Sequence, residues 1–160
     1  MIADLPPCDY PARLPRLRER LDGSTVIVSA TPNLHWLTGF VGSLGWLVVG
    51  PQRAVLITDG RYGALAADTL ERTGLAAVID VDVHRSREAL RQAIVDAASA
   101  PGGGAVLAED GDLTHAAWTD WAQDLELQPA GGLVTALRRS KDAGEIARIR
   151  RAAEIADAAL

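Results

Sequence analysis

Apolar residues recur along the chain at two spacings, and the switches between them divide it into short elements. Leu14, Leu17 and Leu21 stand at i, i+3 and i+7, one face of a short helix. Pro15 fits that helix only in its first turn, and Asp22-Gly23 ends it. Thr25-Val26-Ile27-Val28-Ser29 is a compact apolar run, the pattern of a strand covered on both faces. Thr31-Pro32-Asn33 marks a turn or a helix start. Trp46-Leu47-Val48-Val49 and Ala54-Val55-Leu56-Ile57 read as two further strands, joined by Gly50-Pro51-Gln52-Arg53. So short a connection forces an antiparallel hairpin, because parallel neighbours need a long crossover.

Beyond the hairpin, strands alternate with helices. Thr58-Asp59-Gly60 leads into a helix over 61–72 that Gly74 stops, and 76–83 reads as a strand. Ser86 caps a helix carrying Leu90, Ile94 and Ala98 on one stripe, broken at Pro101-Gly102-Gly103-Gly104. Ala105-Val106-Leu107-Ala108 is another buried strand, and Thr114 caps a helix with Trp118, Trp121 and Leu125 on one face. The apolar run 133–137 reads as a last edge strand. This alternation predicts an α/β domain with a mixed sheet flanked by helices. Asp142-x-x-Glu145 then opens a last helix in the manner of a capping box. Ile146, Ile149, Ala153, Ala156 and Leu160 continue it at helical spacing with no stop signal, so the stripe is expected to belong to a longer protein.

Composition narrows the classes. The chain has 160 residues, about one domain, and 48% of them are apolar, enough for a single core. Net charge is −5 and arginines are interleaved with acids, which discounts nucleic acid and anionic membranes as partners. No apolar run reaches the ~18 residues of a membrane span, and the first residues lack the basic and apolar regions of a signal peptide. Cys8 is the one cysteine, so no internal disulfide is possible. A cytoplasmic protein is expected.

Few residues invite chemistry. Asp80, Asp82 and His84 alternate on one face of a strand and could hold a divalent metal, but a solvated sheet face is the better reading. Glu109-Asp110-Gly111-Asp112 lacks the spacing of a calcium loop and reads as a surface turn. Gly102-Gly103-Gly104 is followed by no Lys-Ser/Thr pair and is not a phosphate loop. Ser43 misses the nucleophile-elbow pattern by one glycine position, and nothing places His35, His84 or His115 beside it.

Two segments remain. Asn33-Leu34-His35-Trp36-Leu37-Thr38-Gly39-Phe40-Val41-Gly42-Ser43 runs into a glycine loop, and Thr58-Asp59-Gly60-Arg61-Tyr62 turns from a strand toward a helix. In this order, about the apolar hairpin, they resemble the creatinase-type N-terminal domain of the aminopeptidase P and prolidase family. Members of that family look like N-x-x-Y-L-T-G-F-x-G-S followed by T-D-G-R-Y, with Trp36 here in the aromatic position. Leu137-Arg138-Arg139-Ser140-Lys141-Asp142-Ala143-Gly144-Glu145-Ile146 and Ile149-Arg150-Arg151-Ala152 resemble the family's passage into its catalytic domain.

The resemblance implies a ribonuclease-H-like α/β domain over 1–140 and the beginning of a pita-bread catalytic domain over 141–160. The catalytic domain of such proteins holds two divalent metals, manganese expected, through two Asp, one His and two Glu, none of which this chain would supply. The expected partners are the chain's own catalytic domain, a second copy in a homodimer, and a proline-containing peptide. No catalytic or metal-binding residue is assigned within the chain, which is expected to be inactive alone. Phe40, Ser43, Asp59 and Arg61 are expected to face the substrate cleft. Phe40, beside glycines, could stack on a proline ring. Arg61, near a helix start, opposes the helix dipole by ~0.3–1 kcal/mol and needs a carboxylate or a substrate group, while Asp59 is placed to cap the same helix. A non-hydrolytic binding module on the same fold, or the N-terminal domain of a creatinase-like hydrolase, are the competing readings.

Overall fold

A computed structural model describes residues 5–100, 102 and 104–159; Pro101, Gly103 and Leu160, invoked above, lie outside the described residues. Chain order is α1 (Arg13–Leu21), β1 (Thr25–Val28), α2 (Thr31–Thr38), β2 (Trp46–Val49), β3 (Ala54–Asp59), α3 (Gly63–Thr73), β4 (Asp80–His84), α4 (Arg87–Ala98), β5 (Val106–Ala108), α5 (His115–Trp121), β6 (Leu127–Pro129), α6 (Leu133–Leu137) and α7 (Ala143–Ala158). One six-stranded sheet has the order β4-β3-β2-β1-β5-β6. β2 runs antiparallel to β1 and β3, while β3–β4, β1–β5 and β5–β6 are parallel. The expected mixed α/β sheet flanked by helices is therefore present, as is the 46–49/54–57 hairpin, in the register Trp46↔Ile57 to Val49↔Ala54.

Period-two alternation sorts the strand side chains into two cores. Val26, Val28, Leu47, Val49 and Leu56 face one side, under Leu14, Leu17, Leu37, Leu70 and Val134 of α1, α2, α3 and α6. Ile27, Val48, Val55 and Ile57 face the other, under Leu90, Ile94 and Trp121 of α4 and α5. The central strands are buried on both faces because both are covered by helices, so they read as unbroken apolar runs.

Three boundaries differ from the sequence reading. The run 133–137 is the helix α6, not an edge strand; Gly131 and Gly132 take positive φ and turn the chain into it, and Val134 and Leu137 bury against the core. The edge strand is instead Leu127–Pro129, paired with β5. β4 starts only at Asp80, because 75–79 form a turn in which the Val78 and Ile79 N–H groups donate to Leu75 O. The helix expected from 61 starts at Gly63: a Cβ there would lie 2.9 Å from Val83 Cγ2, so the α3 terminus is pressed onto β4.

Candidate functional site: a polar cluster at the end of strand β3

α2 ends at Thr38, and Gly39, in the left-handed region at φ 80°, donates its N–H to His35 O at 2.7 Å. The Thr38 hydroxyl donates to Leu34 O and accepts the Phe40 N–H, which turns Phe40 inward. Its ring is fully buried. The two glycines that follow fit around that ring: a Cβ on Gly42 would lie 2.2 Å from Phe40 Cζ, and one on Gly45 2.9 Å from Cε1. The glycine loop is thus wrapped on Phe40, whose ring lies buried beneath it rather than open to a proline ring as expected. A second anchor comes from β3, where the Thr58 hydroxyl donates to Leu44 O at 2.6 Å.

The other three expected residues meet on the outside of this loop. Ser43 is exposed, with its Oγ 2.7 Å from the Tyr62 hydroxyl. The Arg61 backbone N–H donates to Asp59 Oδ1 at 2.9 Å, while its Nε and Nη2 donate to Oδ2 at 2.9 and 2.8 Å. Asp59 therefore closes a turn and neutralises Arg61; the residue at the start of α3 is Tyr62, which makes no side-chain cap. The hydrogen bond from Arg61 holds the Asp59 carboxyl below the usual carboxylate range, and the same bond raises Arg61. Arg61 is nonetheless 67% exposed, so further N–H groups of its fork are open to a second acceptor. Tyr62 joins the parts. Its ring meets Phe40 edge-on, with centroids 6.2 Å apart at 88°, and carries the Arg61 guanidinium 5.2 Å from its centroid. Asp59 and Leu44 also border a cavity of about 910 Å³ between α4 and α5, walled by Trp46, Leu90, Ile94 and Trp121. That size is within the range of small-molecule sites.

Elsewhere, Asp80, Asp82 and His84 do share a face of β4. Arg53 pairs with Asp80 at 3.2 Å, and His84 Nε2 lies 2.9 Å from Asp82 Oδ1 without the alignment of a hydrogen bond. Among the described residues, no three His, Cys, Asp or Glu side chains are grouped so as to hold a metal. Glu109 departs from the surface-turn reading. It is buried; its Oε2 accepts the Ser29 and Ala30 N–H groups at 2.9 and 2.7 Å, and its Oε1 accepts Asn33 Nδ2 at 2.5 Å. Arg138 completes the network by donating to Asn33 Oδ1 at 2.8 Å. Asn33 leads the first motif, which was the available sign of a buried polar role. Tyr62 closes the second motif, yet no role was read for it.

The chain matches the Creatinase/Prolidase N-terminal domain over residues 12–140. It is 28% identical over 140 residues to the uncharacterized peptidase YqhT of Bacillus subtilis, 86% of this chain but 37% of that protein. The curated relatives it matches are all more than twice the length it covers in them. The N-terminal domain of the cytoplasmic peptidase PepQ from Mycobacterium tuberculosis superposes with a TM-score of 0.67 at 28% identity, over 79% of this chain and 98% of that one. The Xaa-Pro dipeptidase from Bacillus anthracis has the same fold, with a TM-score of 0.82 at 24% identity over 94% of this chain and 41% of that one. With the mixed sheet in place and the match running from α1 through α6, the chain belongs to the Creatinase/Prolidase N-terminal domain family.

Proposed function

We propose that this chain is the non-catalytic N-terminal domain of a peptidase acting at Xaa-Pro bonds, and that it walls the substrate cleft and contributes to a homodimer. The observation that carries the reading is the family match over 12–140 together with the convergence of Ser43, Asp59, Arg61 and Tyr62 at one end of β3. Arg61, held by Asp59, offers its remaining N–H groups to a peptide carbonyl or carboxylate, and the Ser43–Tyr62 hydroxyl pair offers a second polar contact. Phe40 serves the cleft indirectly, as the buried support of the loop that bears Ser43. Metal-assisted hydrolysis needs cations to acidify water and polarise the scissile carbonyl. The described residues do not fit such a centre; two divalent ions, manganese expected, would be held by a catalytic domain outside this chain. Among the described residues no helix is long and apolar enough to cross a membrane. A cytoplasmic location is part of the proposal, supported by the description of the PepQ relative.

The test is kinetic. The chain alone, with manganese and Xaa-Pro peptides, should release no product. In the intact enzyme, Arg61→Ala should lower kcat/KM about tenfold or more with metal content and melting temperature nearly unchanged. Hydrolysis by the chain alone would overturn the non-catalytic assignment. Unchanged kcat/KM in Arg61→Ala would remove the cluster from the cleft.

A further inference from the structure

Most of α7 is bare: Ile146, Ile149 and Ile155 are exposed, and Gly144 is its one buried residue. Its first turn is the opposite. Asp142 and Glu145 form a reciprocal capping box, in which Asp142 Oδ1 accepts the Glu145 N–H at 2.8 Å and Glu145 Oε2 accepts the Asp142 N–H at 3.0 Å. Each carboxylate has a second oxygen, and both turn toward the domain. Asp142 Oδ2 accepts Arg13 Nη2 at 2.5 Å and the Asp9 N–H at 3.1 Å, and Glu145 Oε1 accepts Trp36 Nε1 at 2.9 Å.

Arg13 is 3% exposed, an unusual place for a guanidinium. Its plane lies between the rings of Tyr10 and Trp36, 4.5 and 4.8 Å from their centroids, and Nη1 donates to Trp36 O. Its counter-charges are the two capping carboxylates, Asp142 at 2.5 Å and Glu145 at 3.4 Å. A buried cation without them would be left uncompensated. The N-terminal segment crosses the same turn: a Cβ on Gly144 would lie 2.3 Å from Pro7 O, and Arg148 Nη1 donates to Pro6 O at 2.7 Å. Glycine is a poor helix former, and here a backbone crossing occupies the space a side chain would need.

We propose that Arg13, the Asp142/Glu145 capping box and Gly144 form a clasp that fixes the direction in which α7 leaves the domain. One oxygen of each carboxylate starts the helix and the other docks it, so starting α7 and orienting it are one event. The exposed isoleucine stripe is thereby held at a set angle to the domain.

The test uses the 160-residue chain and two variants that attack the clasp differently. Arg13→Met removes the buried cation. Gly144→Ala leaves every charge in place and favours the isolated helix, but blocks the crossing of Pro7. In the wild type, N–H residual dipolar couplings of α7 and of the sheet should fit one alignment tensor. In each variant α7 should need its own, smaller tensor, and hydrogen exchange at Glu145 and Ile146 should quicken about tenfold or more while β1–β3 keep their protection. If α7 still shares the sheet's tensor in both variants, the clasp does not set its direction. If the sheet and α7 lose protection together in both, Arg13 and Gly144 are core residues of the domain and the proposal fails. Should Arg13→Met alone unfold the sheet, Gly144→Ala decides between these outcomes.

Discussion

Removing the Glu109 carboxylate should destabilise the domain more than any surface charge would. The side chain is 7% exposed and sits at the end of β5, yet its partners are 76 to 80 residues earlier, at the start of α2. α2 has no side-chain cap of its own, since Ala30 stands at the capping position and Pro32 removes one orphan N–H. Glu109 supplies the cap from across the fold: two backbone N–H groups and the Asn33 amide donate to it, and its charge faces the positive end of the helix dipole. In Glu109→Ala those donors lose their acceptor in a buried place, and breaking a buried charged network from one side costs about 3–5 kcal/mol. Glu109→Gln keeps the shape but offers an amide where acceptors are needed, at about 1.5–3 kcal/mol. At 2–4 °C per kcal/mol for a domain of this size, the alanine variant should melt about 6–20 °C lower. Urea unfolding followed by far-ultraviolet circular dichroism would measure both variants, with unchanged m showing that stability rather than compactness had moved. A Glu109→Gln variant within about 0.5 kcal/mol of the wild type would refute the capping argument.

Two more predictions rest on the same kind of contact. Gly42→Ala should cost about 1–3 kcal/mol by driving a methyl into the Phe40 ring, read as a lower urea midpoint; an unshifted midpoint would show that the loop gives way freely. For Asp142, burial raises the carboxyl, but the hydrogen bonds from the Glu145 N–H, Arg13 and the Asp9 N–H together hold it below 3.8. Because the folded value is the lower one, its contribution is complete above about pH 4 and is lost as pH falls through the folded value. Stability measured from pH 5 down to pH 2 should fall more steeply in the wild type than in Asp142→Asn, and equal slopes would remove Asp142 from the acid response.

The layered fold was legible because its signals are local. Three consecutive strands are buried on both faces, so each is an apolar run of the right length, and the four-residue connection at Gly50 allows only a hairpin. The failures came where distant contacts decide. A five-residue apolar run has no visible period, so Leu133 to Leu137 could be strand or helix until the glycine turn and the packing of Val134 chose. α3 begins at Gly63, packed against Val83 of β4, after a turn in which Asp59 takes the Arg61 and Tyr62 N–H groups. Glu109 looked like part of an acidic turn because its partners are in another segment of the chain. Ser43, Asp59 and Arg61 were singled out from the sequence, but their union through Tyr62 and the inward turn of Phe40 were not legible there. A glycine beside an aromatic signals close approach without saying which of the two moves inward.

The position of the cluster follows from the one antiparallel strand that interrupts the sheet's parallel pattern. β2 and β3 are joined at Gly50, so the start of β2 must lie beside the end of β3. Trp46 pairs with Ile57, and continuing that register outward sets Gly45 beside Thr58 and Leu44 beside Asp59. The Thr58 hydroxyl bond to Leu44 O is the direct expression of this juxtaposition. Two motifs some fifteen residues apart are thus brought to one end of the strands by a hairpin whose own strands are mostly apolar. A one-residue slip would turn Thr58 to the opposite face and release the loop from β3. The four-residue connection, closed by the Gly50 N–H donating to Arg53 O at 2.8 Å, fixes that register, and burial of Leu47, Val48, Leu56 and Ile57 on both faces anchors the hairpin that sets Ser43 against Tyr62.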